Sequence, residues 1–171
     1  MFCKGDNVVY GSSGICTVID VCPSPFGKGD LRDYYALRPH SDNEAVIYTP
    51  AKGGRVPLRA ISSREEVERF IDGINKLPNI VVPGEKRRRD AYKEVMSKAS
   101  LEGYARIIKT VAQRRKVAKD ARRQLALTDT EYERSAKSCL YNEISMVLDI
   151  PFDKVECYIK QNSCGAKAGQ N

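Results

Sequence analysis

FCKGDNVVYGSSGICTVIDV, residues 2–21, alternates apolar with polar residues and is interrupted at Gly11 and Gly14, which predicts two short strands joined by a tight turn. Two more β-branched or aromatic runs follow, DYYALRP (33–39) and AVIYTP (45–50), with the turn-rich HSDNE between them. PSPFGKGDL, rich in proline and glycine, is expected as a loop between the second and third strands. Four or five strands ahead of residue 60 predict a small antiparallel β-barrel of the SH3 or Tudor type. Such a barrel is filled by its own side chains, so function falls to its rim or to an exposed edge strand.

Beyond residue 60 the period changes from two to about 3.6. In SSREEVERFIDGINKLP, Ser63 and Glu66 form a capping box, and Val67, Phe70, Ile71, Ile74 and Leu77 share one helical face. Pro78 and Pro83 bracket an extended link, after which a second helix should start near Glu85 with Ala91, Tyr92, Val95 and Met96 inward. A third carries Leu101, Tyr104, Ala105, Ile108, Val111 and Ala112. Its basic end, QRRKVAKDARRQ, admits either a continued helix or a connector.

Thr128 and Glu131 are expected to box the start of a fourth helix, whose stripe is Tyr132, Ala136, Cys139, Leu140, Ile144 and Val147. Tyr92, Tyr104, Tyr132 and Tyr141 are read as core or partly buried residues whose hydroxyls reach water. Pro151 then precedes a shorter fifth helix ending near Gln161. The expectation is an α+β chain: a Tudor-like barrel over residues 1–60, a compact all-α bundle over 61–161, and a disordered tail over 162–171.

Charge is placed unevenly along the 171 residues. Between residues 86 and 123 there are fourteen lysines and arginines against four acids, an excess of ten where the whole chain carries +7. The remainder is therefore slightly acidic. Concentrated positive charge on a folded element attracts a polyanion, and nucleic acid is the commonest one; a merely solvated helix face is the plainer alternative.

Several function classes are disfavoured. No run of about 18 apolar residues exists, and MFCKGD lacks the features of a signal peptide, so a cytoplasmic protein without a membrane is expected. Six cysteines contain no C-x-x-C pair and His40 is the sole histidine, which argues for free thiols and against a metal site or cofactor. His40 has no nucleophile pattern nearby, and GKGD and KGGR lack the context of a phosphate loop; an enzyme is not expected.

The opening FxxGDxVVY, from Phe2 to Tyr10, and the YYxL of Tyr34, Tyr35 and Leu37 resemble the RNA-polymerase-interacting domain of the CarD/CdnL transcription regulators, shared with transcription-repair coupling factors. SLEGYARIIKTV (100–111), the LT…E…A…L…EIS pattern over 127–145 and LDIP (148–151) resemble the helical second domain of the same family. The resemblance spans roughly residues 2–161. It implies a bacterial regulator whose first domain docks on the polymerase β subunit, while the second contacts promoter DNA and wedges a tryptophan into the minor groove.

This chain has no tryptophan, and an ungapped alignment on Arg88 and Ala105 puts Glu85 at the wedge position. Glutamate cannot stack on a base and is repelled by phosphate. DNA contact is therefore expected to be electrostatic, through Lys86, Arg87, Arg88, Arg89 and Lys93, with Arg114, Arg115 and Lys116 as second contacts. One arginine of 87–89 must turn toward the bundle or an acid, because successive helical residues diverge by about 100°. For polymerase binding, the resemblance points to the strand over 45–49 and the loop after Val21, with Ile47 and Tyr48 as the side chains to test; alternation sends one of them inward. A monomer suffices for such a role. The competing reading is a non-catalytic adaptor whose barrel binds a protein while its basic helices bind RNA or are only solvated.

Overall fold

The computed structural model describes residues 1–26 and 32–163. The chain divides into two compact units, Met1–Ile61 and Ser62–Asn171.

The first unit is a five-stranded antiparallel sheet of β1 (Asn7–Tyr10), β2 (Gly14–Pro23), β3 (Asp33–Pro39), β4 (Ile47–Pro50) and β5 (Leu58–Ala60), in the order β4-β3-β2-β1-β5. The quoted opening explains its start. Phe2 donates its N–H to the Tyr35 hydroxyl at 3.0 Å, Asp6 accepts from the Cys3 N–H at 2.8 Å, and Gly5, at φ 95°, donates to the Val18 carbonyl at 2.7 Å. Val8, Cys16, Val18, Tyr35 and Leu37 then form the core, with Phe2, Tyr10, Ile47 and Leu58 packed around them.

Between β1 and β2 the chain makes a single 3-10 turn, Gly11–Ser13. Gly11 has φ 47° and donates to the Pro57 carbonyl at 3.1 Å; a Cβ there would stand 2.4 Å from Val56 Cγ1. Only glycine meets both demands without displacement. A register shift between Val18 and Asp20 inserts one residue into β2, which bends the strand and increases its twist.

The barrel is not closed by a ladder. β4 and β5 remain the two edges, because they are four and three residues long and the intervening AKGGRVP carries two glycines and a proline. Prolines 50 and 57 have no N–H to pair.

The second unit contains α1 (Arg64–Gly73), α2 (Glu85–Ser97), α3 (Leu101–Asp120), α4 (Leu127–Leu148) and α5 (Val155–Asn162), with 3-10 turns Ile74–Lys76 and Phe152–Lys154. Ser63 caps α1 with the reciprocal Glu66 contact that its spacing predicts. Ser100 caps α3 by accepting from the Gly103 N–H at 3.1 Å, and α3 continues through the basic stretch to Asp120.

The box expected at Thr128 and Glu131 does not form. α4 begins two residues earlier, its cap is Ala126, and the Thr128 hydroxyl is engaged by α2. A second correction concerns the stripe of α3: Ile107 and Thr110 are buried, while Ile108 is half-buried and Ala112 exposed. α4 carries three buried acids, Asp129, Glu133 and Glu143. Glu143 accepts the N–H and hydroxyl of Ser62 at 3.1 and 2.7 Å.

Among the described residues no helix is long and apolar enough to cross a membrane, and the five described cysteines carry free thiols. Of the expected tail, Asn162 ends α5 and Ser163 is buried; residues 164–171 lie outside the described residues, as does the 27–31 portion of the expected loop.

Candidate functional site

Two surfaces carry the residues that the sequence singles out, one on each unit. On the first, β4 pairs with β3 and leaves its other side unpaired in the sheet. Ile47 turns toward the core cluster and Thr49 is buried, so alternation sends Tyr48 outward, at 43 % exposure. The strand proper starts at Ile47, two residues later than the apolar run suggests.

Tyr48 does not stand alone. Phe26, in the loop after β2, is 71 % exposed, and its ring centroid lies 5.5 Å from Tyr34 and 6.4 Å from Tyr48, edge-on in both cases. The Arg32 guanidinium sits 5.8 Å over the Tyr34 ring and donates to its hydroxyl at 3.2 Å. Beside this aromatic group opens a cleft of about 340 Å³ whose lining includes Tyr10, Arg32, Tyr48 and Arg55. Sequence reasoning did not single out Phe26 or Arg32; the available signal was an aromatic residue set between Pro25 and Gly27, where nothing local would bury it.

On the second unit, α2, the end of α3 and the start of α4 converge around Asp129. That carboxylate is fully buried and accepts from Arg88 Nε at 2.9 Å, Arg114 Nε at 2.9 Å and the Tyr92 hydroxyl at 3.0 Å. Arg88 is itself buried, so it is withdrawn from any ligand, and Tyr92 spends its hydroxyl on Asp129 instead of water. Burial first, and then the Asp129 charge, push the Tyr92 hydroxyl well above its ordinary pKa.

A second tie runs beside the first. Arg89 donates to Thr128 Oγ1 at 3.3 Å, and Thr128 donates to Glu85 Oε1 at 3.1 Å. Glu85 therefore fastens the start of α2 to the start of α4. Farther along, Arg115 pairs with Glu133 through its two terminal guanidinium nitrogens, Nη1 and Nη2, and Lys137 lies 3.4 Å from the same carboxylate. Burial acts to raise the Glu133 pKa, but the Arg115 hydrogen bond and the Lys137 charge outweigh it and hold the carboxyl below its ordinary value.

The eight basic residues thus divide by partner. Arg88, Arg114 and Arg115 neutralise the buried acids Asp129 and Glu133, and Arg89 is bonded to Thr128. Lys86, Arg87 and Lys93 on α2 and Lys116 on α3 are exposed and make no ion pair among the described residues. Lys119, Arg122 and Arg123 extend the exposed set at the end of α3. No group of three or more metal-ligating side chains occurs among the described residues.

Residues 2–62 match the family model of the CarD-like/TRCF RID domain, from Phe2 of the opening motif to the first residue after the sheet unit. The chain carries a CarD-like/TRCF RID domain. This is an RNA-polymerase-interacting domain, and its match covers the whole five-stranded sheet, including the aromatic edge. A comparison with curated proteins returns no match.

Proposed function

We propose that the chain is a CarD-like transcription regulator whose RID domain docks on the polymerase β subunit through the β4 edge, while its helical unit contacts promoter DNA. The observation that carries this reading is the RID match over a sheet whose unpaired edge presents Tyr48 and Phe26 outward. An open edge accepts a partner strand through main-chain hydrogen bonds, and the exposed aromatic side chains supply the apolar anchor. The reading is of a non-catalytic, bacterial and cytoplasmic protein that acts as a monomer.

On the helical unit, Glu85 occupies the position where the family resemblance expects a tryptophan wedge, and its carboxylate is engaged by Thr128. DNA contact then rests on phosphate neutralisation by Lys86, Arg87 and Lys93, with Lys116 beyond them, and not on unstacking a base step. The three arginines spent on carboxylates favour a second reading, an adaptor whose helices bind RNA or are only solvated.

Capture of the polymerase β subunit by the tagged full-length chain tests the first half: Tyr48→Asp should reduce retention at least about tenfold, and undiminished retention refutes the edge. Fluorescence anisotropy with duplex DNA tests the second. Lys86→Glu with Arg87→Glu should weaken binding and flatten the dependence of log K on log salt by about 1.8, the effect of losing two phosphate contacts. An unchanged slope assigns the basic helices to the adaptor reading.

A further inference from the structure

Helices α3, α4 and α5, with Ile74 and Asn75 of the 3-10 turn after α1, line an open groove of about 620 Å³. α4 packs on both of the others, so the groove runs over α4 with α3 on one side and α5 on the other. Ile108, Ala112 and Lys116 follow one another at intervals of four along α3, Leu140 and Lys137 come from α4, and Ile159 from α5. These include the two α3 residues that helical periodicity assigns to the core, Ile108 and Ala112, of which the bundle leaves the first half-buried and the second exposed. The volume is comparable with about a turn and a half of a helix roughly 10 Å across.

The electrostatics of the groove narrow its occupant. Lys109, Arg115, Lys116, Lys137 and Lys160 line it against Glu133 and Glu156, an excess of three positive charges. Glu133 binds Arg115 and Lys137, and Glu156 binds Lys160 at 2.7 Å. A nucleic acid backbone would meet an apolar floor that offers it nothing. An amphipathic helix suits both properties: its aliphatic face covers the half-buried Ile108 and Ile159 and the exposed Ala112, and flanking carboxylates reach Lys116 and its neighbours.

We infer that this groove is a second protein-docking site, which takes an acidic amphipathic helix of a partner protein. The inference is independent of the β4 edge and of the α2 cations proposed to meet DNA, and shares only Lys116 with that proposal. Ala112 at the groove wall allows close approach of the incoming backbone, and Lys116, without an ion pair among the described residues, is the cation ready to meet a carboxylate.

The test uses the full-length chain and a fluorescein-labelled helical peptide of about 14 residues, with leucines at i, i+4, i+7 and i+11 and glutamates on the flanks. Anisotropy should show saturable binding that a scrambled peptide of equal charge lacks. Ala112→Trp, which fills the groove from an exposed position, should weaken binding at least about tenfold with an unchanged melting curve, and Lys116→Glu should weaken it about threefold. Equal binding by Ala112→Trp, or by the scrambled peptide, overturns the inference. So does binding that appears only after residues 164–171 are deleted, which makes the chain's own terminus the occupant. A duplex DNA affinity that falls with Ala112→Trp while the peptide fails to bind, or a dimer in sedimentation that Ala112→Trp dissolves, overturns it as well.

Discussion

Replacing Asp129 by alanine is the most revealing perturbation of the helical unit. Its carboxylate is 0 % exposed and receives three donors, and the Arg88 side chain facing it is only 7 % exposed. Removing one partner of a buried pair leaves an uncompensated charge and costs about 3–5 kcal/mol. Arg114 adds little, because its side chain is 40 % exposed and recovers water, as at a surface pair worth about 0–1 kcal/mol. The Tyr92 hydroxyl loses its acceptor, a loss of about 1–3 kcal/mol on its own that does not add fully within one network.

The expected loss is therefore about 4 kcal/mol, a large share of the roughly 5–15 kcal/mol that stabilises a domain. Urea unfolding followed at 222 nm, where the helices dominate, reads it as a lowered midpoint. Arg88→Met combined with Asp129→Leu should recover much of the deficit, since Arg88 is then no longer left as a buried unpaired charge. A loss below about 1 kcal/mol for Asp129→Ala would mean that the carboxylate behaves as a surface group, and would refute the reasoning.

Three further outcomes follow from other contacts. The folded pKa of Glu133 lies below the ordinary value of 4.5, so its pairing stabilises the protein above that pH and the contribution disappears as pH falls through the folded value. The gap in melting temperature between wild type and Glu133→Gln should accordingly be present at pH 7 and close in acid; a gap independent of pH contradicts the assignment. Gly11→Ala should cost about 1–3 kcal/mol from its left-handed backbone and the Val56 contact, and adding Val56→Ala should return only the contact's share in thermal melts. Ser63→Ala should destabilise α1 by about 1 kcal/mol, read by amide exchange in its first turn, and unchanged exchange there would remove the capping box from the account.

Much of the architecture is written in local pattern. Strand alternation in residues 7–21, the glycine at the first turn and the reciprocal Ser63 and Glu66 cap depend on neighbours a few positions away, so a linear reading recovers them. The same rule failed at Thr128 and Glu131, because a partner 43 residues earlier claimed the threonine hydroxyl. At the β4 edge, alternation stated that one of Ile47 and Tyr48 points outward; only packing against the core cluster chose Tyr48.

The basic helices divide along the same line. Composition determined that positive charge gathers between residues 86 and 123, and helical geometry that one of Arg87, Arg88 and Arg89 turns inward. Which arginines stay available was decided by Asp129 and Glu133, which lie 41 residues from Arg88 and 18 from Arg115 and meet them only when α2, α3 and α4 assemble. Charge is a property of the residue, whereas its availability belongs to whatever carboxylate the fold brings within hydrogen-bonding distance.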